Sequence, residues 1–256
     1  MSRSTELVCP SGLRVKLRSI KGKDVDALRD KRKAATGEGI SELLDACTIE
    51  IIDRTIYSSL PSFSWADAID GDRTAAVLGL RIATSGSSYD FRVRCQDPGC
   101  RAMIDWTVDL NDLPRKELSA ESRATYLAGN RFVIQGCGHD ITFKLKNGRD
   151  QVQFAKFMAS LAMQQKQQVR RGAPEKNERA MLGLASRIVS VDGVEDITSW
   201  LEDQDLRDLR ALVRQMDDAD CGIETGIEVE CVGRNGCGLR QEIELPLDKG
   251  FFAQDI

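Results

Sequence analysis

The chain has 256 residues, 41% of them hydrophobic, and a formal net charge of −4. A chain of this length buries about 70–75% of the surface it would expose unfolded, so one or two ordinary domains are expected and dominant disorder is excluded. No apolar run approaches the ~20 residues that cross a bilayer, no secretory leader is legible at the start, and the acidic balance argues against a nucleic-acid partner. The single histidine, His139, rules out HExxH hydrolases and most catalytic zinc sites.

From the N-terminus, Cys9-Pro-Ser-Gly-Leu-Arg-Val-Lys-Leu-Arg18 reads as strand-like and leads to Gly22-Lys23-Asp24. Asp24 is placed to cap a helix over Lys23 to Ala35. Thr48 to Asp53 reads as a strand, and Asp70-Gly71-Asp72 opens a leucine-bearing helix. Tyr89 to Cys95 and Met103 to Val108 alternate as strands on either side of Cys95-Gln-Asp-Pro-Gly-Cys100. A polar, helix-prone stretch from Pro114 serves as a connector. Cys137-Gly-His-Asp-Ile-Thr-Phe-Lys-Leu-Lys146 then aligns without a gap on residues 9–18, and Gly148-Arg149-Asp150 on Gly22-Lys23-Asp24, with Asp150 as the second cap. The following helix, Asp150 to Arg170, carries Phe154, Phe157, Met158 and Leu161 at core-facing spacing. A break at Arg171-Gly-Ala-Pro174 precedes a helix to about Ser186, a strand at Arg187 to Asp192 and a helix started by Asp203-Gln-Asp205. Ile227 to Cys231 and Gln241 to Leu245 then flank Cys231-Val-Gly-Arg-Asn-Gly-Cys237.

The same elements therefore recur in the same order, with a period near 130 residues. The expected class is α+β: a tandem-duplicated module, each half carrying a β-hairpin or strand, helices and a cysteine-knuckle hairpin like half a zinc ribbon. The first repeat covers 1–113 with its knuckle at 95–100, the connector 114–136, and the second repeat 137–256 with its knuckle at 231–237.

Eight cysteines are too few for a secreted disulfide scaffold. One zinc ion takes four ligands, and two knuckles supply two each, so Cys95, Cys100, Cys231 and Cys237 form the candidate metal site. Disulfides within the knuckles, or free thiols, are the alternatives. Glycines inside both knuckles provide for positive backbone angles. Cys9 and Cys137 occupy equivalent positions and form a candidate thiol pair across the repeats, while Cys47 and Cys221 read as buried free thiols. There is no phosphate loop, no GxGxxG and no GxSxG elbow. His139 reads as a solvated turn residue, Asp217-Asp218-Ala219-Asp220 as a helix end, Arg29 to Lys33 and Arg170-Arg171 as solvated faces, and Trp65, Trp106 and Trp200 as core. The chain is expected not to be an enzyme.

Several of these stretches together resemble a known family. They are Lys144-Leu-Lys-Asn-Gly-Arg-Asp150 with its counterpart Leu17 to Asp24, Leu78 to Gly86 ahead of the first knuckle, Ile188-Val-Ser-Val-Asp-Gly193 before a Leu/Arg helix, and the strand ends Val108-Asp109-Leu110 and Glu244-Leu-Pro-Leu247. The pattern is similar to the baseplate hub proteins of contractile-tailed bacteriophages of the T-even type. Those proteins carry two C-P-x-C-G knuckles in corresponding places; here the knuckles are longer and lack proline after the first cysteine. The resemblance implies a non-enzymatic adaptor between hub and tube-initiating tail proteins, self-associating around the tail axis. It would be located in the host cytoplasm during assembly and then in the tail baseplate of the virion. A hub assembly chaperone absent from the finished particle, and a zinc-ribbon protein-binding module unrelated to phage, are the alternatives.

Overall fold

The computed structural model describes residues 4–24, 30–170, 179–232, 236–247 and 251–252. Its class is mixed helix and sheet, with eight α-helices among several small antiparallel sheets in the described residues. The first sheet joins β1 (Ser4–Val8), β2 (Arg14–Arg18) and β3 (Thr48–Asp53) in that order. Between β2 and β3 lie α1 (Lys31–Thr36) and α2 (Glu38–Cys47), separated by Gly37 at φ 79°. Period-2 patterning builds this sheet: Val15 and Leu17 of β2 are fully buried while Arg14 faces solvent and pairs with Glu6. The second three-stranded sheet joins β7 (Phe132–Gly136), β8 (His139–Phe143) and β9 (Ile188–Val191). Here Ile141 and Phe143 are the buried pair.

The central helix is α3 (Asp70–Ser85), which buries Ala75, Ala76, Leu78, Leu80 and Ala83 and ends before Gly86 at φ 91°. Small residues allow its close packing. Leu7 lies 3.3 Å from where a Cβ on Gly79 would sit, and a Cβ on Gly71 would run into the Cys221 carbonyl. After α3 comes the hairpin of β4 (Ser88–Arg94) and β5 (Met103–Asp109). The segment 114–136 contains β6 (Arg115–Lys116), α4 (Ala120–Leu127) and β7. Helices α5 (Gly148–Arg170) and α6 (Arg179–Ala185) lead to β9, then α7 (Ile197–Glu202) and α8 (Leu206–Ala219). Leu209, Leu212 and Met216 of α8 are buried at helical spacing, each worth roughly 1.5–3 kcal/mol of apolar transfer when fully covered. The chain closes with β10 (Gly222–Ile223), paired to β6, and the hairpin β11 (Gly226–Glu230) and β12 (Arg240–Glu244).

One hydrophobic core runs through both halves of the chain, and the backbone stitches them. Asp70 N donates to Lys146 O at 2.9 Å, Arg149 N to Ala66 O at 2.9 Å, and Ile69 bridges Asn147. At the centre lies Asp72, fully buried, whose carboxylate accepts the Ser11 amide at 2.9 Å, the Ser11 hydroxyl and the Tyr57 hydroxyl at 2.7 Å.

Several sequence expectations need correction. Asp24 sits in a 3-10 turn (Gly22–Asp24), held by the Arg18 guanidinium at 2.6 and 3.0 Å and by the Lys21 amide. Residues 25–29 of the expected helix lie outside the described residues, and the next helix, α1, is capped by Asp30. Asp150 belongs to the first turn of α5. Its amide donates to the Asn147 side chain and its carboxylate accepts the Asn147 amide, so Asn147 takes the capping position in a reciprocal box. The stripe on α5 is not core: Phe157 is 49% exposed and Phe154, Met158 and Leu161 are only partly covered. The break at 171–174 lies outside the described residues. Trp65 is buried, whereas Trp106 and Trp200 are half-buried at the core's edge. Cys47 and Cys221 are buried and free, as their isolation in sequence predicts.

Candidate metal centre

Both knuckles emerge from antiparallel ladders with the same framing. Arg94 pairs with Met103 and Glu230 with Arg240, in each case the residue before the first cysteine against the third residue after the second. The Cys95 amide donates to Ala102 O at 2.8 Å and the Cys231 amide to Leu239 O at 2.9 Å. At the far ends, Leu110 N donates to Ser87 O and Leu245 N to Thr225 O, while Ser87 and Thr225 donate their hydroxyls to Asp109 and Glu244.

The residue after the second cysteine is left-handed in both knuckles: Arg101 at φ 50° and Gly238 at φ 76°. Of the glycines between the cysteines, Gly233 lies outside the described residues, and Gly99 and Gly236 serve differently from the sequence expectation. Gly99 and Gly236 are not left-handed; Gly99 donates its amide to the Asp97 side chain, and a Cβ on Gly236 would strike the Cys231 carbonyl oxygen.

The four sulfurs of Cys95, Cys100, Cys231 and Cys237 lie within 4.8 Å of one another. Cys95 Sγ is 3.6 Å from Cys237 Sγ, and Cys100 Sγ is 3.8 Å from Cys231 Sγ. A disulfide needs about 2.05 Å, so none of the four is bonded. A tetrahedral zinc with Zn–S of about 2.3 Å places its sulfurs about 3.8 Å apart, so the donor set and spacing fit that ion. Both of these sulfur pairs are crossed, the first cysteine of each knuckle meeting the second of the other.

Burial differs within each knuckle. Cys95 and Cys231 are buried, Cys100 is half-buried and Cys237 is exposed. The Ala102 amide donates to the Cys100 sulfur and holds that thiol below its usual value. At Cys237 the Leu239 amide acts the same way, but desolvation and the three neighbouring thiols outweigh it and push Cys237 up to about 12. At Cys231 the Cys237 amide pulls the thiol down, yet desolvation and the Cys95 and Cys100 thiols raise it overall. Four thiolates in one place repel each other; a divalent cation is what would let all of them ionise.

A second-layer residue escaped the sequence reading. Gln241, only 5% exposed, accepts the Gln96 amide at 2.8 Å and donates to Arg94 O at 3.2 Å, so it clamps the backbone on both sides of Cys95 from the opposite hairpin. Its signal was a polar residue in the apolar phase of Leu239, Ile243 and Leu245. Tyr89 adds a further tie, donating to Pro246 O at 2.8 Å.

The other candidate pair is not bonded. Cys9 is fully buried, with burial raising its thiol and Asp72, Arg115 and Cys221 nearby; Cys137 is half-buried in the β7–β8 turn beside Asp208. His139 packs edge-on against Trp200 and holds Asp192 O at 2.9 Å, a turn residue with a structural contact. A cavity of about 360 Å³ between α2 and α5 is lined by Glu38, Glu42, Asp45, Arg149 and Lys156. Its charges are spent on partners: Lys156 on Glu38, Lys33 on Glu42, Arg149 on Asp67, and Asp45 on Ser64 and the Trp65 amide. Among the described residues no helix is long and apolar enough to cross a membrane. Comparison with protein-family models, with curated proteins and with solved structures finds no match in any of the three.

Proposed function

We propose that this chain is a non-enzymatic structural adaptor, built from two copies of one module and tied by a single zinc ion held by Cys95, Cys100, Cys231 and Cys237. The observation that carries the reading is the crossed sulfur set, two ligands from each hairpin at 3.6 and 3.8 Å. A twofold rotation that exchanges the hairpins also exchanges these two contacts, as an isologous junction requires.

Further correspondences support the duplication. Val15 and Leu17 pair with Ile51 and Thr48, as Ile141 and Phe143 pair with Val191 and Ile188, with a β-bulge before Leu17 and before Phe143. The ion pair Arg18–Asp24 has its counterpart in Lys144–Asp150, six residues apart in each case. The non-enzymatic reading is supported by the cavity between α2 and α5, whose charged groups are each engaged in an ion pair or hydrogen bonds.

Placement in a contractile-tail baseplate hub rests on the sequence resemblance. A rigid body with two similar faces suits an adaptor that contacts hub and tube-initiating proteins. Elemental analysis of the purified full chain should return one zinc per chain. The double variant Cys95→Ser/Cys231→Ser should lose the metal and melt at lower temperature; unchanged melting would refute the structural role. Quantitative mass spectrometry of purified phage particles and infected-cell lysate tests the hub. Fixed stoichiometry in particles is the expected result, and presence in lysate alone would turn the assignment to the assembly chaperone.

A further inference from the structure

The two less buried cysteines of the cluster, Cys237 and Cys100, each have a buried cysteine of the other knuckle as a close neighbour. Cys237 faces Cys95 at 3.6 Å and Cys100 faces Cys231 at 3.8 Å. Cys95 and Cys231 are 3% and 1% exposed. An oxidant arriving from solvent therefore meets one sulfur of each crossed pair, and the interior holds the thiol that would resolve it. This is the arrangement of an oxidation-sensitive cysteine beside its resolving partner, present twice.

We propose, resting on the zinc reading above, that the centre is also a peroxide-responsive modification site. Oxidation expels the metal and leaves two disulfides that cross between the hairpins, Cys95–Cys237 and Cys100–Cys231, instead of one within each knuckle. The exposed thiolate attacks a peroxide oxygen, the O–O bond breaks, and a sulfenic acid forms as hydroxide leaves and is protonated to water. The buried thiolate then attacks the sulfenic sulfur, forming the S–S bond and displacing a second hydroxide, which also becomes water. For both pairs the balance is one zinc tetrathiolate, two hydrogen peroxide and four protons giving two disulfides, one zinc ion and four water. Four electrons pass from sulfur to peroxide. Because each bond joins the two hairpins, the link between the halves survives loss of the metal in covalent form.

The test uses the reduced, zinc-loaded full chain titrated with hydrogen peroxide. Released zinc is read by a chromogenic chelator, and cysteine pairing by peptide mapping under non-reducing conditions. One equivalent of zinc released together with peptides joined 95–237 and 100–231 is the expected result. Pairs 95–100 and 231–237, sulfinic acid at Cys237 without disulfides, or zinc retained in excess peroxide would each overturn the proposal. If the purified chain takes up no zinc, the metal reading fails by itself, and the map of the oxidised metal-free chain still decides the crossed pairing. In Cys95→Ser, Cys237 should be trapped by dimedone as a sulfenic acid while Cys100–Cys231 still forms. A Cys231–Cys237 bond in that variant would count against the crossed arrangement.

Discussion

The Gln241 side chain accepts the Gln96 amide proton at 2.8 Å, across the line where the two hairpins meet. Its amide group also donates to Arg94 O, so one buried side chain from β12 fixes the position of Cys95 on β4's end. Gln241→Leu removes two part-buried hydrogen bonds, at a cost of about 1 kcal/mol. Because it loosens the backbone of a ligand, zinc affinity should fall by about 10–100-fold. Chelator competition and urea denaturation measure the two effects; wild-type values in both would remove Gln241 from the account.

Arg101 and Gly238 occupy the same left-handed step after the second cysteine, but only one of them is glycine. A side chain there costs about 1–2 kcal/mol, partly offset by the greater freedom of unfolded glycine. Arg101→Gly should therefore raise stability by up to about 1 kcal/mol, and Gly238→Ala should lower it by about 1 kcal/mol. Opposite signs in thermal melts of the two variants are the expected readout.

Two aspartates set opposite pH responses. The Arg18 guanidinium beside Asp24 holds its carboxyl down to about 2, so the stability it contributes is present above the ordinary value and lost as pH falls from about 4 to about 2. Burial pushes Asp70 up to about 6, against the weaker pull of Gln151 and Arg73. Its contribution is full below the ordinary value near 3.8 and is lost as pH rises through about 6. Relative to Asp70→Asn, the wild-type chain should gain about 2 kcal/mol between pH 7 and pH 4. Comparing the two proteins at each pH cancels the protonation of the metal ligands. A flat difference would show that Asp70 titrates normally.

Tyr57 both donates to Asp72 at 2.7 Å and accepts the Ile69 amide at 3.0 Å. Tyr57→Phe keeps the ring among Phe63 and Tyr126 but strips both bonds. Denaturation should show a loss of about 1–3 kcal/mol, and a loss below about 0.5 kcal/mol would mean that water replaces the hydroxyl.

The pairing of the four cysteines, the two knuckle hairpins, the strands at 48–53 and 188–191 and the helices opened by Asp70 and Asp205 were legible because each has a local signature. Alternation, leucine spacing and paired cysteines need no knowledge of the rest of the fold. Under the proposed duplication, however, the gap-free match of residues 9–18 to 137–146 lies two residues away from the correspondence that the strand pairings suggest, in which Val15 answers to Ile141 and Leu17 to Phe143. The β1–β2 turn holds five residues and the β7–β8 turn two, so aligning on the turn cysteines displaces the strands. A slip of two keeps every side chain on its own face, which leaves the hydrophobic pattern blind to it. The β6–β10 pair and the Gln241 clamp join residues more than 100 positions apart, and no local pattern announces such contacts. The partly covered stripe on α5 shows the converse error: helical spacing of Phe154, Phe157, Met158 and Leu161 identifies an apolar face without saying how far anything covers it.

The crossed arrangement of sulfurs has a consequence for assembly order. A lone hairpin offers half a coordination sphere, so as a separate molecule it could fill the sphere only by meeting another, at a rate and equilibrium set by how much protein is present. Tethered on one chain, the hairpins face each other at an effective concentration of the order of millimolar, whatever the dilution. On the zinc reading proposed above, closure of the centre then depends on the supply of the ion and not on the abundance of the polypeptide.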